Sequence, residues 1–349
     1  MKICQQAAMV VACFWLFALC PARLLASDYV VYEGAKGKSA KSVSAGKHLV
    51  FLTGDEEYRS EEGLVQLAKI LAFRHGFKST VLFAIDPKLG EINPNLTNTL
   101  SGVELLDSAD AIILGLRFRF YPDEVMQPFV DAYLAGKPIV AVRTSTHAFN
   151  YPADSNSKFA HYSHNSKEWP GGFGRQVLGE TWVTHLGKNH KEATRGIPVA
   201  EEKDHPLLRG VGKIFAHTGS YTANPMPDST ILVRGQVLSG MTPDSPPVVG
   251  EKYDVHQPVA WSRVHRNEKG NTNRVLCTTM GAATDLLDES LRRLLVNGVY
   301  WGLQIEVPQR ADVRLIGDYE PTEYAFNGFR KGVKPSDLKM TASDAIRDE

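Results

Sequence analysis

Short apolar runs alternate with amphipathic segments along the first half of the chain. The runs are rich in Val, Ile and Leu, a composition typical of strands that are buried on both faces. The segments between them place apolar residues at helical spacing, around residues 60–75 and 122–135. This alternation with short links predicts a parallel sheet with right-handed crossovers and helices on both faces. The predicted strands are 48–53, 80–84, 111–114 and 139–142.

The second half begins with a long polar segment and returns to strands afterwards. Residues 151–192 are rich in Gly and His, and a loop of this length in a compact domain is either functional or disordered. Trp169, Phe173 and Trp182 argue against disorder. An amphipathic helix at 290–303 closes the fold. Further strands are predicted around 213–217, 230–236, 258–263 and 274–279.

The two ends of the chain differ from its middle. Lys2, the apolar run 7–19 and a small-residue site near Ala26 predict a signal peptide over residues 1–26, with a retained membrane anchor as the alternative. We therefore expect a periplasmic or secreted protein without a membrane partner in its mature form. The domains that follow are a flexible arm at 27–47, an α/β domain at 48–307 and an extended C-terminal tail at 308–349.

Charge and cysteine content restrict the classes of partner. Of the 349 residues, 39 are basic and 39 acidic, and removal of residues 1–26 leaves 37 against 39, a net charge of −2. This balance indicates no nucleic-acid partner. Three of the four cysteines leave with the signal peptide, so only Cys277 remains and no internal disulfide is expected. The sequence does not indicate an oligomeric state.

Polar clusters follow three of the predicted strands at the point where each strand ends. They are the segment 55–59, the pair Arg117 and Arg119, and the segment 143–147. Because parallel strands have their carboxyl ends along one edge of the sheet, these clusters are expected to share one mouth. The histidine-bearing segment 151–192 is expected to form its wall.

The residue types in these clusters suit acid–base chemistry on an oxygen-rich substrate. A carboxylate near guanidinium groups has a shifted pKa and can move a proton, which makes Glu57, or alternatively Glu56, the candidate base. His147 is a second catalytic candidate. Arginines and hydroxyls bind substrate oxygens. The alternative is a set of ion pairs that orient loops. The candidate substrate-binding residues are Glu56, Tyr58, Arg59, Arg117, Arg119, Arg143, Thr144 and Thr146.

Two further chemistries remain as alternatives. Ser145 could act as a nucleophile with His147 as its base, although the small residues that flank a nucleophile are missing. The histidines of the polar segment leave room for a divalent metal, without any diagnostic spacing such as HExxH. The metal ligands are therefore unknown and no cofactor is assigned. The histidines concerned are His161, His164, His185 and His190.

Several segments resemble the ThuA-like (trehalose utilisation) family. They are HLVFLTGDEEYRSEE, PIVAVRTSTHAF, FGRQVLGETWVTHLG, DHPLLRGV and, with the longest pattern, PVAWSRVH followed by RVLCTTMGAATDLLDESLRRLLVNGVYWGL. The resemblance implies a flavodoxin-like three-layer sandwich of the class I glutamine amidotransferase type, with a mostly parallel sheet. It also implies a carbohydrate as the small-molecule partner.

Departures from the family pattern affect the chemistry that it implies. Arg143 stands where the amidotransferase superfamily has its catalytic Cys, so glutamine amidotransferase activity is not expected. Glu57 and Arg143 replace histidines common in the family, whereas His185 matches a family histidine and is a third catalytic candidate. We expect an exported protein that acts on a carbohydrate or sugar derivative by non-covalent acid–base chemistry, as a hydrolase or lyase. The alternative is a non-catalytic carbohydrate-binding or scaffold protein that lost the nucleophile.

Overall fold

The computed structural model describes residues 28–34, 44 and 46–347. The predicted signal peptide lies outside these residues. The strands are β1 Tyr29–Tyr32, β2 His48–Gly54, β3 Lys78–Leu82, β4 Ala111–Leu116, β5 Ile139–Val142, β6 Thr184–His185, β7 Thr194–Pro198, β8 Ile214–Ala216, β9 Tyr221–Thr222, β10 Thr230–Val237, β11 Gln257–Arg266 and β12 Thr272–Thr278. The helices are α1 Ser60–Phe73, α2 Asp123–Leu134, α3 Glu251–Asp254, α4 Glu289–Gly302 and α5 Ala342–Arg347.

Ten of these strands form one mixed sheet in the order β1-β3-β2-β4-β5-β12-β11-β10-β7-β8. The strands β3, β2, β4, β5 and β12 run parallel, and the remaining neighbours pair antiparallel. The predicted α/β fold with a large sheet and crossover helices is confirmed. Its parallel part occupies one half of the sheet, because β7, β8, β10 and β11 extend the other half as antiparallel neighbours.

Helices cover both faces of the parallel half. In β2, Leu49 and Phe51 belong to the apolar cluster that contains α1 and α4, whereas Val50 and Leu52 belong to the cluster that contains α2. Successive residues of a strand point to opposite faces, so one apolar run supplies both cores. All seven residues of β2 are buried. Within the described part of the chain, no helix is long and apolar enough to cross a membrane.

Segments near both ends of the described chain pack against the fold. Within the predicted flexible arm, Tyr29–Tyr32 forms the edge strand β1 beside β3. The described part of the tail packs along α1, where the backbone N–H and the hydroxyl of Thr322 donate to Glu62. Tyr319 Oη donates to the carbonyl of Ala283 at 2.7 Å. The tail is therefore held to the fold by specific hydrogen bonds.

Candidate functional site

The loops after β2 and β5 are joined through a buried carboxylate. Asp55 is 1% exposed, and its Oδ1 accepts hydrogen bonds from the backbone N–H groups of Glu57 and Tyr58, both at 3.0 Å. Its Oδ2 accepts from the hydroxyl of Thr144. A carboxylate that receives three donors is well satisfied without a counter-ion. Asp55 therefore fixes the position of the neighbouring Glu57.

A second carboxylate joins the loop after β2 to the loop after β4. The two oxygens of Glu56 pair with the guanidinium groups of Arg117 and Arg119. Arg119 is fully buried and also donates to the carbonyls of Pro94 and Leu96, at 2.8 and 3.1 Å. Its donors are thus used to hold neighbouring loops in place.

Glu57 lies at the surface of this cluster. Its Oε2 is 3.2 Å from Nε of Arg117, and the two side chains are 13% and 16% exposed. Burial raises the pKa of Glu57, and the positive charge of Arg117 opposes that shift. A partly exposed carboxylate with a raised pKa is a stronger proton acceptor than an ordinary carboxylate.

Arg143 lies at the tight turn after β5 and adopts a left-handed backbone conformation with φ of 47°. Its Nη1 donates to the carbonyls of Gly219 and Thr279, at 2.9 and 2.7 Å, and its Nη2 donates to Tyr58 Oη at 3.0 Å. The guanidinium carbon lies 4.3 and 4.2 Å from the ring centroids of Tyr58 and Tyr221. Among the described residues, no carboxylate forms an ion pair with this buried cation.

The two catalytic histidine candidates lie next to Arg143 and are neutral. His185 Nε2 is 3.5 Å from Arg143 Nη2, and burial, assisted by the charges of Arg143 and Arg117, lowers the pKa of His185 to about 4. Burial also holds the pKa of His147 well below its usual value. The ring of His147 is 5.1 Å from that of Trp182. At neutral pH both imidazoles can only be neutral hydrogen-bonding groups.

The remaining predicted binding residues face inward. Arg59 is fully buried and donates to the carbonyls of Glu56 and Ala325. Tyr58 is 1% exposed. Thr146 Oγ1 lies 3.2 Å from Nδ1 of His147. These side chains support the loops of the site, and the exposed mouth consists of other residues.

The serine alternative finds no support in the geometry. Ser145 is fully buried, and its hydroxyl donates to the carbonyl of Leu114 at 2.9 Å and accepts from the N–H of Leu116 at 3.4 Å. His147 Nδ1 contacts Thr146 instead of Ser145. The hydroxyl of Ser145 is therefore bound to β4 and its exit.

The histidines of the polar segment contact separate aromatic rings. His161 lies 4.8 Å from the ring of Tyr162, and His190 lies 4.2 Å from the ring of Tyr324. Over the residues that the structure describes, no three or more His, Cys, Asp or Glu side chains are placed to hold one metal ion. The sequence prediction left the metal ligands unknown, and the geometry adds no candidate set.

Two aromatic residues that contact the site residues were missed by the sequence analysis. Phe118 follows Arg117 directly, and its ring lies 4.8 Å from that of His147. Tyr324 stacks on Tyr58 at 5.3 Å, although it belongs to the tail. Phe118 could have been suspected from its place in a strand exit, whereas no local pattern indicates that the tail reaches the site.

Comparisons with known proteins give only distant structural resemblances. No family model matches the chain, and no curated protein matches it. A Parabacteroides merdae protein named as thuA-like aligns with a TM-score of 0.47 and 15% identity, over 80% of this chain and 97% of that one. A thuA-like protein of Bacteroides uniformis aligns with a TM-score of 0.44 and 15% identity, over 77% and 94%. PurLQS from Thermotoga maritima aligns with a TM-score of 0.37 and 11% identity, over 73% and 98%.

Proposed function

We propose that the protein is an exported ThuA-like protein that acts on a carbohydrate or sugar derivative by non-covalent acid–base chemistry. Its fold is then the flavodoxin-like three-layer sandwich of the class I glutamine amidotransferase type. One observation carries the proposal: Glu57, a partly exposed carboxylate with a raised pKa, lies 3.2 Å from Arg117 at the shared mouth of three strand exits. The residue patterns that resemble the ThuA-like family support the carbohydrate class.

The geometry assigns different roles to the three catalytic candidates. Glu57 accepts a proton from the substrate on a carboxylate oxygen, and Arg117 stabilises the negative charge that develops on a neighbouring substrate oxygen. His185 and His147 have pKa values far below neutral and act as neutral positioning groups. Arg119 and Arg59, both fully buried, hold the loops from which Glu57 and Arg117 extend.

The test replaces the proposed base without changing its shape. Glu57→Gln removes the proton acceptor and is expected to lower turnover by about 10²- to 10⁴-fold. Glu201→Gln, an exposed residue, is the matched control and should leave turnover unchanged. The measurement follows conversion of a panel of sugars and glycosides by proton NMR. Undiminished turnover in Glu57→Gln would remove the proposed base.

A non-catalytic carbohydrate-binding protein is the second candidate. The observation that favours it is Arg143, which fills the turn after β5 where a nucleophile would stand and uses its donors on Gly219, Thr279 and Tyr58. A sugar array distinguishes the two candidates. Binding without conversion, retained in Glu57→Gln, supports the second candidate, and conversion by the wild type rejects it.

Export is a separate part of the proposal and rests on the pattern of residues 1–26. Expression of the full chain in a bacterial host should yield a periplasmic or secreted product that begins near residue 27. Cell fractionation with N-terminal sequencing measures this directly. A cytoplasmic product that retains Met1 would contradict the export proposal and would leave the chemistry untouched.

A further inference from the structure

The C-terminal tail supplies an exposed aromatic ring at the mouth. Phe326 is 60% exposed, and the centroid of its ring lies 5.0 Å from the guanidinium carbon of Arg117. The ring of Phe118 lies 4.6 Å from the same carbon. Both rings lie within cation–π distance of Arg117. Phe326 therefore presents an apolar surface directly beside the proposed catalytic pair.

Anchors on both sides fix this part of the tail. Before Phe326, the ring of Tyr324 stacks on Tyr58, and the carbonyl of Ala325 accepts from Arg59. After it, Oδ1 of Asn327 accepts from Nδ2 of Asn95 at 2.7 Å. Tyr58 and Arg59 are buried, whereas the hydrogen bond of Asn327 is exposed. Phe326 is therefore held beside Arg117 by contacts of the residues on either side of it.

The charges around Arg117 favour a neutral ligand over an anion. Arg117 pairs with Glu56 and Glu57, and Arg119 shares Glu56, so two cations face two carboxylates with no net charge. An anion would meet no excess of positive charge and would approach the carboxylate of Glu57. A hydroxyl group can donate to Glu57 and also accept from a guanidinium N–H.

We propose that Phe326 is a specificity-determining residue of this site, stacking on the apolar face of a neutral pyranose ring whose hydroxyls contact Glu57 and Arg117. The inference rests on the proposed function and adds the charge and the ring form of the substrate. A sugar ring has axial C–H groups on one face and hydroxyls at its rim. The exposed ring of Phe326 can pack against the C–H groups, and the ion pair of Glu57 and Arg117 beside it can form hydrogen bonds with the hydroxyls.

The experiment compares matched sugars on matched variants. The probes are the methyl pyranosides of glucose, galactose and mannose, each paired with its methyl uronide, and binding is measured by ligand-observed NMR. Phe326→Ala should weaken pyranoside binding about tenfold, whereas Phe326→Tyr keeps the ring and should bind like the wild type. Val264→Ala is the control, because Val264 is 54% exposed but pairs with Arg274 at the opposite end of the sheet.

The outcomes separate this inference from the proposed function. Pyranoside binding that Phe326→Ala leaves unchanged overturns the inference and leaves the proposed function standing. Tighter binding of a uronide than of its pyranoside overturns the neutral substrate class. If no sugar binds to the wild type, the proposed function fails and the inference fails with it. If Val264→Ala also lost pyranoside binding, the loss in Phe326→Ala would reflect a general effect on the folded protein. That result would overturn the specific role of Phe326.

Discussion

Two buried arginines at neighbouring strand exits have different partners. Arg119 belongs to a cluster with Glu56 and Arg117, where carboxylate oxygens and carbonyls receive the guanidinium donors. Arg143 is equally buried, but its guanidinium contacts carbonyls, a phenol, the imidazole of His185 and two aromatic rings instead of a carboxylate. We call these the Glu56 cluster and the Arg143 cluster. The first is an ion-pair network, and the second contains a cation without a direct ion pair among the described residues.

This difference determines which groups can move a proton. The charge of Arg143 adds to burial in lowering the pKa of His185 and of His147, so neither histidine is a base of useful strength. Glu57 lies between the two clusters, where burial raises its pKa and Arg117 keeps it paired. The region between the ion-paired Arg117 and the unpaired Arg143 is therefore the part of the mouth suited to acid–base work.

The largest effect is expected in the Glu56 cluster. Arg119→Met leaves Glu56 with one partner and frees the carbonyls of Pro94 and Leu96, so the free energy of unfolding should fall by about 3–5 kcal/mol. Urea unfolding measures it. Arg234→Met, at an exposed position, should change stability by less than about 0.5 kcal/mol. Equal stability of the two variants would show that the Glu56 cluster is not a structural network.

Disruption of the Arg143 cluster should lower the free energy of unfolding by a smaller amount and should change the pKa of His185. Arg143→Met leaves the carbonyls of Gly219 and Thr279 without donors and should cost about 2–3 kcal/mol. The pKa of His185 should rise from about 4 and stay below 6.5, because burial is the larger cause of its shift. An NMR titration of the imidazole measures this, with Arg143→Lys as the charge-preserving control. An unchanged pKa in Arg143→Met would contradict the electrostatic role of the cation.

A buried carboxylate without a hydrogen-bond partner among the described residues, Glu61, can be compared with the paired Glu56. Glu61 in the first turn of α1 is 8% exposed, neither of its oxygens has a partner among the described residues, and burial raises its pKa to about 8 from 4.5. The folded state then holds a proton that the unfolded state releases between these values. Stability should therefore fall as pH rises through this range, by about 1.4 kcal/mol per pH unit from this group.

Glu61→Gln tests this slope. Urea unfolding from pH 5 to 8 should show a flatter dependence in Glu61→Gln than in the wild type, because glutamine does not titrate. Glu104→Gln, at an exposed position, should keep the wild-type slope. Parallel slopes in all three proteins would mean that Glu61 is ionised in the folded state and has a partner.

The smallest effect concerns the turn between the two clusters. Ser145→Ala removes the hydrogen bond to Leu114 and should lower the free energy of unfolding by about 1 kcal/mol, without any effect on turnover. Thermal unfolding and the sugar conversion assay measure the two quantities. A large loss of turnover at unchanged stability would revive Ser145 as a nucleophile.

The sequence was sufficient for the features that depend on local pattern. The sequence shows the apolar runs that become β2, β4 and β5 and the polar residues at their ends. Charged residues are excluded from a buried strand, so they first occur where the strand ends. The convergence of Glu56 with Arg117 follows from the parallel order of these strands. The predicted base Glu57 lies within this convergence, and its role remains a prediction.

Other features depend on contacts that no local pattern encodes. Arg117 and Arg119 are two residues apart, yet one is at the mouth and the other is fully buried, because Phe118 between them has a left-handed φ of 49°. The antiparallel half of the sheet arises from pairings between distant segments. Tyr324 reaches Tyr58 across 266 positions of the chain, so its contribution appears only in three dimensions.

The contact of the tail with the first strand exit also has a consequence for biosynthesis. A growing polypeptide that has reached residue 307 contains every strand of the sheet, but it has not yet produced the rings of Tyr324 and Phe326. The mouth around Arg117 is therefore complete only when the last few dozen codons have been translated. Premature termination would leave the central sheet complete and the ligand surface incomplete.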